Sequence, residues 1–565
     1  MKRFSIGLDF GTNSVRALLA DVSSGNEIAA YVYNYESGEA GVIADPKDAN
    51  VARQNPADWI KGMEFSVKKV IALAKGKKNF SPENIIGIGV DATGSTPLPV
   101  DKNYTPLAFR KEFKNNKNAL AWLWKDHTSY AEAGEITALA RREHPEYLAK
   151  CGGTYSSEWF FSKILHCLRT APEVFNAGYS WVEFSDYIPG VLTGTADPLK
   201  TRRSVCAAGH KAMYNDGWNG LPAAEFLSKI DTKLGDLRRN RLYGKAYTSD
   251  VPAGKLSSGW AKKVGLPERI PVAVGAIDAH AGAVGAGIKP GVLVKIIGTS
   301  ACDMMVVPNN EKPVDIPGLC GIVDGSIVPG YFGLEAGQSA VGDIFSWFVK
   351  NCVPPEYYRE AKAKGIDVHT LLTNKAAKLK TGGSGLLALD WNNGNRTILA
   401  DARLTGLMLG QTLHTKAEEV YRALIEATGF GAKVIINRFE EYGIKVKEVI
   451  GCGGIAEKNT LLMQIYADIF GCPMRISGST QACALGAAIF GAVVGGAYKK
   501  TEDAQTSMCR LKKTVYEPVP ENQKVCGRLF KLYRELHDIF GRSGSSYNLA
   551  HIMKELLAIK NEVRK

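Results

Sequence analysis

The sequence predicts an α/β fold built as two related domains, and three observations lead there. Strand-like apolar runs alternate with stretches of helical apolar spacing over most of the chain. A strand, a Gly-Thr turn and a second strand occur near the start, in G-T-N-S-V-R-A-L-L at 11–19, and again past the middle, in G-T-S-A-C-D-M-M-V at 298–306. One such match is weak because Gly-Thr hairpin turns are common, but a second copy points to a duplicated unit. The 565 residues suggest about four domains of ordinary size, a length that two large α/β domains also fill.

Taken in order, Phe4 to Asp21 reads as strand, tight turn, strand, and Ile28 to Tyr35 as a third strand. Trp59 to Ala74 has helical apolar spacing, and Ile85 to Val90 is a short buried strand. From about residue 100 to 250 the chain is rich in aromatics and loops, including W-L-W-K-D-H-T at 122–128 and Y-S-S-E-W-F-F at 155–161. That region reads as an insertion elaborating the first domain. Val272 to Ile277 and Val292 to Ile297 are strands, and M-M-V-V at 304–307 follows the second Gly-Thr turn. A helix over Lys416 to Phe439, a strand over Lys447 to Ile450, a G-C-G-G turn and a helix over Asn459 to Phe470 complete the pattern. The amphipathic stretch from Leu529 packs onto the second domain. The boundary falls near 265–290, giving domains of residues 1–280 and 281–565.

Composition narrows the class. With 45% hydrophobic and 22% charged residues, the chain is neither mostly disordered, nor a coiled coil, nor collagen-like. A net charge of +13 favours anionic partners. Its densest patches, Lys75-Gly-Lys77-Lys78 and Arg238-Arg239-Asn-Arg241, are short and lack interleaved aromatics, so they read as solvated surface rather than a nucleic-acid site. Eleven cysteines without a C-x-x-C pair read as reduced thiols with no zinc site. Asp9 interrupts the first apolar stretch too early for a signal peptide, and Gly486 to Ala497 is too short to span a bilayer. The expectation is a soluble, cytoplasmic protein.

Several motifs carry chemistry. Gly11-Thr12-Asn13-Ser14 follows a buried strand and offers turn N–H groups and hydroxyls of the kind phosphate needs, as does Gly298-Thr299-Ser300. Two such hairpins facing each other would clamp a triphosphate. Asp9 could hold Mg²⁺ through water, since that ion keeps several waters and few protein carboxylates. Asp278 ends V-A-V-G-A-I-D and is followed by Gly282, Gly285 and Gly287, which leave room for a ligand beside it. There it could take a proton from a substrate hydroxyl attacking a phosphoryl group, or simply cap a helix. His280 reads as structural. Gly451 to Ala456 fits G-x-G-x-x-A, but no carboxylate closes the next strand, so nucleotide binding survives while NAD does not. Glu335 reads as a strand-end residue before a helix, and Lys211, in A-G-H-K, as an isolated loop lysine. Neither a P-loop nor the protein-kinase H-R-D and D-F-G pair occurs.

In G-L-D-F-G-T-N-S-V-R, G-A-I-D-A-H-A-G-A-V-G-A-G, K-I-I-G-T-S, G-L-E-A-G-Q-S and G-C-G-G-I-A-E-K-N, with A-C-A-L-G-A-A-I later, the chain resembles the FGGY carbohydrate kinases. These belong to the actin/hexokinase/heat-shock ATPase superfold, and the resemblance covers nearly the whole chain. It implies two RNase-H-like (actin-like ATPase) domains with ATP and sugar in the cleft between them. D-A-T-G-S-T-P-L-P at 91–99, L-W-K-D-H-T at 123–128, Y-S-S-E-W-F at 155–160 and A-G-H-K at 208–211 are most similar to the branch of the family that makes L-ribulose 5-phosphate from L-ribulose. The wider family pattern W-x-D-x-R appears here as Trp124, Asp126 and Thr128, a departure that argues against a glycerol or xylulose kinase.

Carried over by position, the resemblance makes Asp278 the general base and Asp9 the organiser of Mg²⁺. Gly11, Thr12, Asn13 and Ser14 face the ATP phosphates on one side, Gly298 and Thr299 on the other. Gly342, Gly453, Gly454 and Asn459 line the nucleotide's sugar and base. Lys211 and Glu335 become sugar ligands, with Thr96 and Asp126 beside them. The implied partners are ATP and the sugar, without nucleic acid or membrane, and a homodimer is the assembly to test. The rival readings are another pentulose or polyol kinase of the family, such as one acting on D-ribulose, an actin-like or chaperone-like ATPase that binds protein, and a dinucleotide oxidoreductase.

Overall fold

The computed structural model describes residues 2–77, 79–310, 315–402, 404–542 and 550–564; Lys78 of the first basic patch lies outside them. The first strands are β1 (Phe4–Phe10), β2 (Ser14–Asp21) and β3 (Glu27–Asn34), a meander in which β1 is buried along its whole length. Helix α1 (Pro56–Ala74) starts at Asn55, whose side chain accepts from the Ala57 N–H at 3.0 Å, with proline preset for the first turn. Its apolar face covers the sheet, where Trp59 stacks on Phe184 at 3.5 Å between ring centroids. Burying each such side chain stabilises the fold by about 1.5–3 kcal/mol.

Strand β4 (Ile85–Ala92) pairs parallel with β1. A largely helical insertion follows, with its own core around Trp122, Phe161, Trp181 and Leu227. Residues 100–250 are thus mostly helix, where the sequence suggested loops. The insertion includes α2 (Val205–Ala212), so Lys211 sits in the last turn of a helix and not in a loop. The sheet is completed by β5 (Pro252–Lys255), β6 (Pro271–Ala273) and β7 (Ala276–Ile277). Its order is β5-β6-β4-β1-β2-β3, with β7 also on β4. The expected continuous strand over 272–277 is therefore broken. Val272 pairs with Ile88 and Ala276 with Asp91, four residues against three, so a bulge interrupts the strand, and a Cβ at Gly275 would lie 1.9 Å from the Ser185 carbonyl oxygen. Helix α3 (Asp278–Gly285) follows directly.

The second sheet repeats the plan with β8 (Val292–Ile297), β9 (Ala301–Pro308), β10 (Gly321–Asp324) and β11 (Tyr331–Gln338). After α4 (Gly342–Cys352) and the long α5 (Ala417–Glu441) comes β12 (Glu448–Cys452), parallel to β8. Helices α6 (Gly454–Lys458) and α7 (Thr460–Phe470) lead to β13 (Met474–Ser477). Then come α8 (Ala482–Val494), β14 (Leu511–Tyr516) and α9 (Pro520–Gly541). The order is β10-β11-β9-β8-β12-β13-β14. In both sheets an antiparallel meander is extended on its first strand by a parallel partner, which is the duplication the two Gly-Thr hairpins announced. As expected, α9 packs into the core of the second sheet. Among the described residues no helix is long and apolar enough to cross a membrane.

Glu335 is not at a strand end. It lies within β11, opposite Met304 of β9 and Gly321 of β10. The small residues after it keep the strand going, because a Cβ at Gly337 would stand 2.3 Å from the Ala301 carbonyl oxygen and only glycine lets the strands close.

Helix α8 ties the halves together. It carries alanines and glycines among larger residues, and β1 and β4 offer glycines against it: a Cβ at Gly7 would lie 1.8 Å from the Ala484 carbonyl oxygen, and one at Gly89 1.7 Å from that of Ala487. Backbone meets backbone there, which no larger side chain would allow.

Candidate active site

Both hairpin turns point into the space between the sheets. In the first, the Gly11 N–H donates to the Ser14 carbonyl at 2.9 Å. Trp124 Nε1 donates to Thr12 Oγ1 at 3.0 Å, and Gln54 Nε2 to the Thr12 carbonyl at 2.7 Å. Asn13 Nδ2 donates to the Ala40 carbonyl at 2.6 Å. In the second turn Gly298 N–H donates to Ser300 O at 2.9 Å, and the start of α4 grips it: Gly342 N–H donates to Gly298 O at 3.1 Å and Asp343 N–H to Thr299 O at 3.1 Å. A Cβ at Gly342 would stand 2.6 Å from Gly298 O, and one at Gly453, whose φ is +93°, would stand 2.6 Å from Ile297 O. These glycines therefore press against the end of β8. Gly454, at the start of α6, is open on its Cβ side. Asn459 caps α7, its Oδ1 accepting from Leu462 N–H at 2.9 Å.

Thr12, Asp278, Gly298, Thr299, Lys211 and Glu335 all line one cavity of about 940 Å³. Asp9, Gly11, Asn13, Ser14, Gly342, Gly453, Gly454 and Asn459 are not among its walls.

Three carboxylates converge where the strands of the first sheet end. Asp9, opposite Arg16 across the hairpin, accepts from that guanidinium at 2.6 Å. Asp91 is its partner on the parallel strand β4. Wholly buried, Asp91 receives no hydrogen bond on either oxygen from the described residues. Burial, then the charges of Asp9 and Asp278, hold its carboxyl well above the usual carboxylate range. Asp278 opens α3 and accepts from the neighbouring Ala279 N–H at 2.7 Å; it makes no capping bond to the second or third turn residue. Burial, and next the Asp9 charge, push its carboxyl up to about 7. Asp9, paired with Arg16, and Asp278 offer the hard carboxylate oxygens that Mg²⁺ takes, whereas Asp91, held above the usual carboxylate range, is not placed to bear charge toward an ion. The second hairpin has the opposite polarity: Lys295 on its first strand bonds Asp303 at 3.0 Å.

The other end of the cavity is organised around Glu335. Lys211 Nζ donates to its two oxygens at 2.9 and 3.1 Å. His280 Nε2 lies 3.1 Å from Oε2, and His210 Nδ1 3.2 Å from the same atom. Burial opposes the Glu335 charge, but Lys211 and the histidines outweigh it and hold the carboxyl well below its usual range. Burial disfavours the charge of His280, yet Cys206 and Glu335, both in contact, carry it up to about 9. Across the same cavity Arg396 Nη2 donates to Glu158 Oε1 at 3.3 Å.

Two expected sugar contacts do not reach the cavity. Asp126 is fully buried, and its oxygens are taken by the Ala52 N–H at 2.7 Å, the Thr128 hydroxyl at 2.6 Å and the Arg53 guanidinium. Arg53, itself buried, also lies 3.5 Å over the ring of Trp122, four residues before Asp126. Thr96 is buried as well, with its N–H on Glu183 Oε2 at 2.9 Å and its hydroxyl 3.0 Å from Thr93 Oγ1. Thr93 and Gly94 are the members of that segment lining the cavity.

Asp91, His210, Glu158 and Arg396 were not singled out from sequence. His210 adjoins Lys211 and Glu158 stands in Y-S-S-E-W-F, so their neighbours were a signal; Arg396, in N-N-G-N-R-T, offered none.

The FGGY family of carbohydrate kinases matches the chain twice, by its N-terminal domain over residues 4–285 and its C-terminal domain over residues 293–494. A ribulokinase of Halalkalibacterium halodurans is 40% identical over 568 residues, covering 99% of this chain and 98% of its own. A ribulokinase of Vibrio parahaemolyticus is 41% identical over 543 residues, covering 94% and 95%. The crystal structure of xylulose kinase from Rhodospirillum rubrum superimposes with a TM-score of 0.74 at 22% identity, over 96% of this chain and 100% of that one. At that identity it speaks for the fold.

Proposed function

The chain belongs to the FGGY family of carbohydrate kinases, and from that premise we propose that it transfers the γ-phosphoryl of ATP to the terminal hydroxyl of L-ribulose, giving L-ribulose 5-phosphate. That it is an ATP-dependent sugar kinase follows from the family and from full-length relatives at about 40% identity. The protein-binding ATPase and the oxidoreductase readings fall away with it. The choice of L-ribulose rests on those relatives and on the segments that carry the resemblance.

Asp278 carries the chemical reading. It shares a cavity with both turns and with the Lys211–Glu335 pair, and a carboxyl near 7 can take a proton at neutral pH. In this reading Asp278 accepts the sugar hydroxyl's proton as that oxygen bonds to phosphorus and the bond to ADP breaks. Gly11 to Ser14 on one side, and Gly298 and Thr299 on the other, face the phosphates; the Gly11 and Gly298 N–H groups close the turns, so Thr12 and Thr299, which line the cavity, are the residues to supply donors. Gly342 and Gly453 keep the second turn in place, with Gly454 and Asn459 towards the nucleoside. Asp9 is the residue to hold Mg²⁺ through water, and the ion, when bound, neutralises phosphate charge. Lys211 and Glu335 bind sugar hydroxyls from opposite halves of the molecule, so sugar binding favours a closed cleft and water is kept from the phosphoryl group. ADP release measured over a panel of pentuloses and polyols tests the proposal: L-ribulose should give the highest kcat/KM, and preference for D-ribulose or a polyol would reassign the substrate.

A further inference from the structure

We infer that His210 and His280 are positioning residues for the sugar, acting through the Glu335 carboxylate. The inference rests on the reading of Glu335 as a sugar ligand and extends it to groups that reading leaves out.

Glu335 comes from the second sheet, yet the groups that grip its side chain come from the first half of the chain: His210 and Lys211 on α2, His280 on α3. The contacts are uneven. Oε2 has both imidazoles and Lys211 within 3.2 Å. Oε1 has Lys211 at 2.9 Å and only the weak Cys320 thiol at 3.8 Å besides. The carboxylate is thus pinned by one oxygen, and the other keeps lone pairs for a hydroxyl in the cavity that Glu335 lines.

Each ring is itself fixed at its far nitrogen. His280 Nδ1 lies 2.9 Å from Cys206 Sγ, and His210 Nε2 lies 3.0 Å from Ser326 Oγ. The rings meet edge to face at 4.5 Å between centroids. A Cβ on Gly321 would fall 1.8 Å from His210 Nδ1, so a glycine on β10 makes room for that ring beside Glu335. A charged ligand needs its orientation set by such partners to bind a hydroxyl in one geometry. The two rings act differently: His280 Nε2 hydrogen-bonds Oε2, whereas His210 Nδ1, 3.2 Å from the same oxygen, makes no hydrogen bond to it and acts by packing on the His280 ring, and that difference makes the inference testable.

Glutamine reaches about as far as Nε2 and asparagine about as far as Nδ1. In the full-length protein, steady-state kinetics with L-ribulose and ATP should rank His280→Gln near wild type, and His280→Asn and His280→Leu at least tenfold higher in sugar KM. At position 210, where the ring packs on His280 and makes no hydrogen bond to Oε2, neither His210→Asn nor His210→Gln should restore the wild-type sugar KM. The ATP KM should stay within about twofold throughout. In a Glu335→Gln background, His280→Leu should add less than about twofold. Rescue by His280→Asn as good as by His280→Gln, a wild-type sugar KM in His210→Asn or His210→Gln, equal effects on both substrates, persistence of the effect in Glu335→Gln, or loss of folding in all four polar variants would overturn the inference. If Glu335→Gln itself left the sugar KM unchanged, the sugar-ligand reading would fail instead, so the two failures are told apart.

Discussion

Asp9 and Asp91 stand side by side on parallel strands, and only Asp9 has a cation, the Arg16 guanidinium at 2.6 Å. Asp91 carries the cost of that arrangement, a buried carboxyl without a donor.

Asp91 ionises at a higher pH in the folded than in the unfolded chain, so between those values the native state holds the extra proton. Its contribution to stability is therefore fully present below the ordinary carboxylate pKa and is lost as pH rises above it, by up to about 1.4 kcal/mol per pH unit. Asp91→Asn should raise the Tm relative to wild type more at pH 8 than at pH 4. Thermal unfolding across that range checks it, and a pH-independent difference would count against the assignment.

Asp278 has to be ionised to accept a proton. With its carboxyl near 7, kcat/KM for the sugar should fall tenfold per pH unit on the acid side of about pH 7 and level off above it. The acid limb should be set by this group, so a midpoint near 4 would contradict the environment described for it.

The Lys211–Glu335 pair is buried on both sides. Removing one partner strands the other charge, so Lys211→Met should cost about 3–5 kcal/mol of stability in denaturant unfolding. The double variant Lys211→Met, Glu335→Leu should recover much of that loss while sugar binding stays lost. Recovery of both properties would remove the pair from the sugar site.

Gly342 and Gly453 press on the end of β8, so alanine at either must displace the second turn or itself. Gly342→Ala should raise the ATP KM at least fivefold and leave the sugar KM within about twofold. Initial-rate kinetics with each substrate varied separates the two, and an effect confined to the sugar would refute the placement.

Features written in local pattern were legible in the sequence: both Gly-Thr hairpins, α1, the helix and strand before Gly451, and the duplication they imply. Asp278 was legible as a strand-end carboxylate, although its alternative as a cap was settled only by the Ala279 contact. What escaped is made by non-local pairing. Asp91 matters because a crossover lays β4 against β1, and Asp126 is withdrawn from the cavity by Arg53, 73 residues away in sequence. Glu335 looked like a strand end because the glycine and alanine after it suit a helix start as well as a close strand pairing. Lys211 and Glu335 entered through the family resemblance, since neither has a local signature; burial against each other is what distinguishes them from idle surface residues.

The most direct test is ADP release by wild type and Asp278→Asn, each with ATP and Mg²⁺ and with or without L-ribulose. Wild type should release ADP only slowly without sugar and much faster with it, and Asp278→Asn should lose at least about 10²–10⁴ of the sugar-dependent rate while binding nucleotide normally. Sugar-independent hydrolysis at the full rate, or wild-type turnover by Asp278→Asn, would contradict the account.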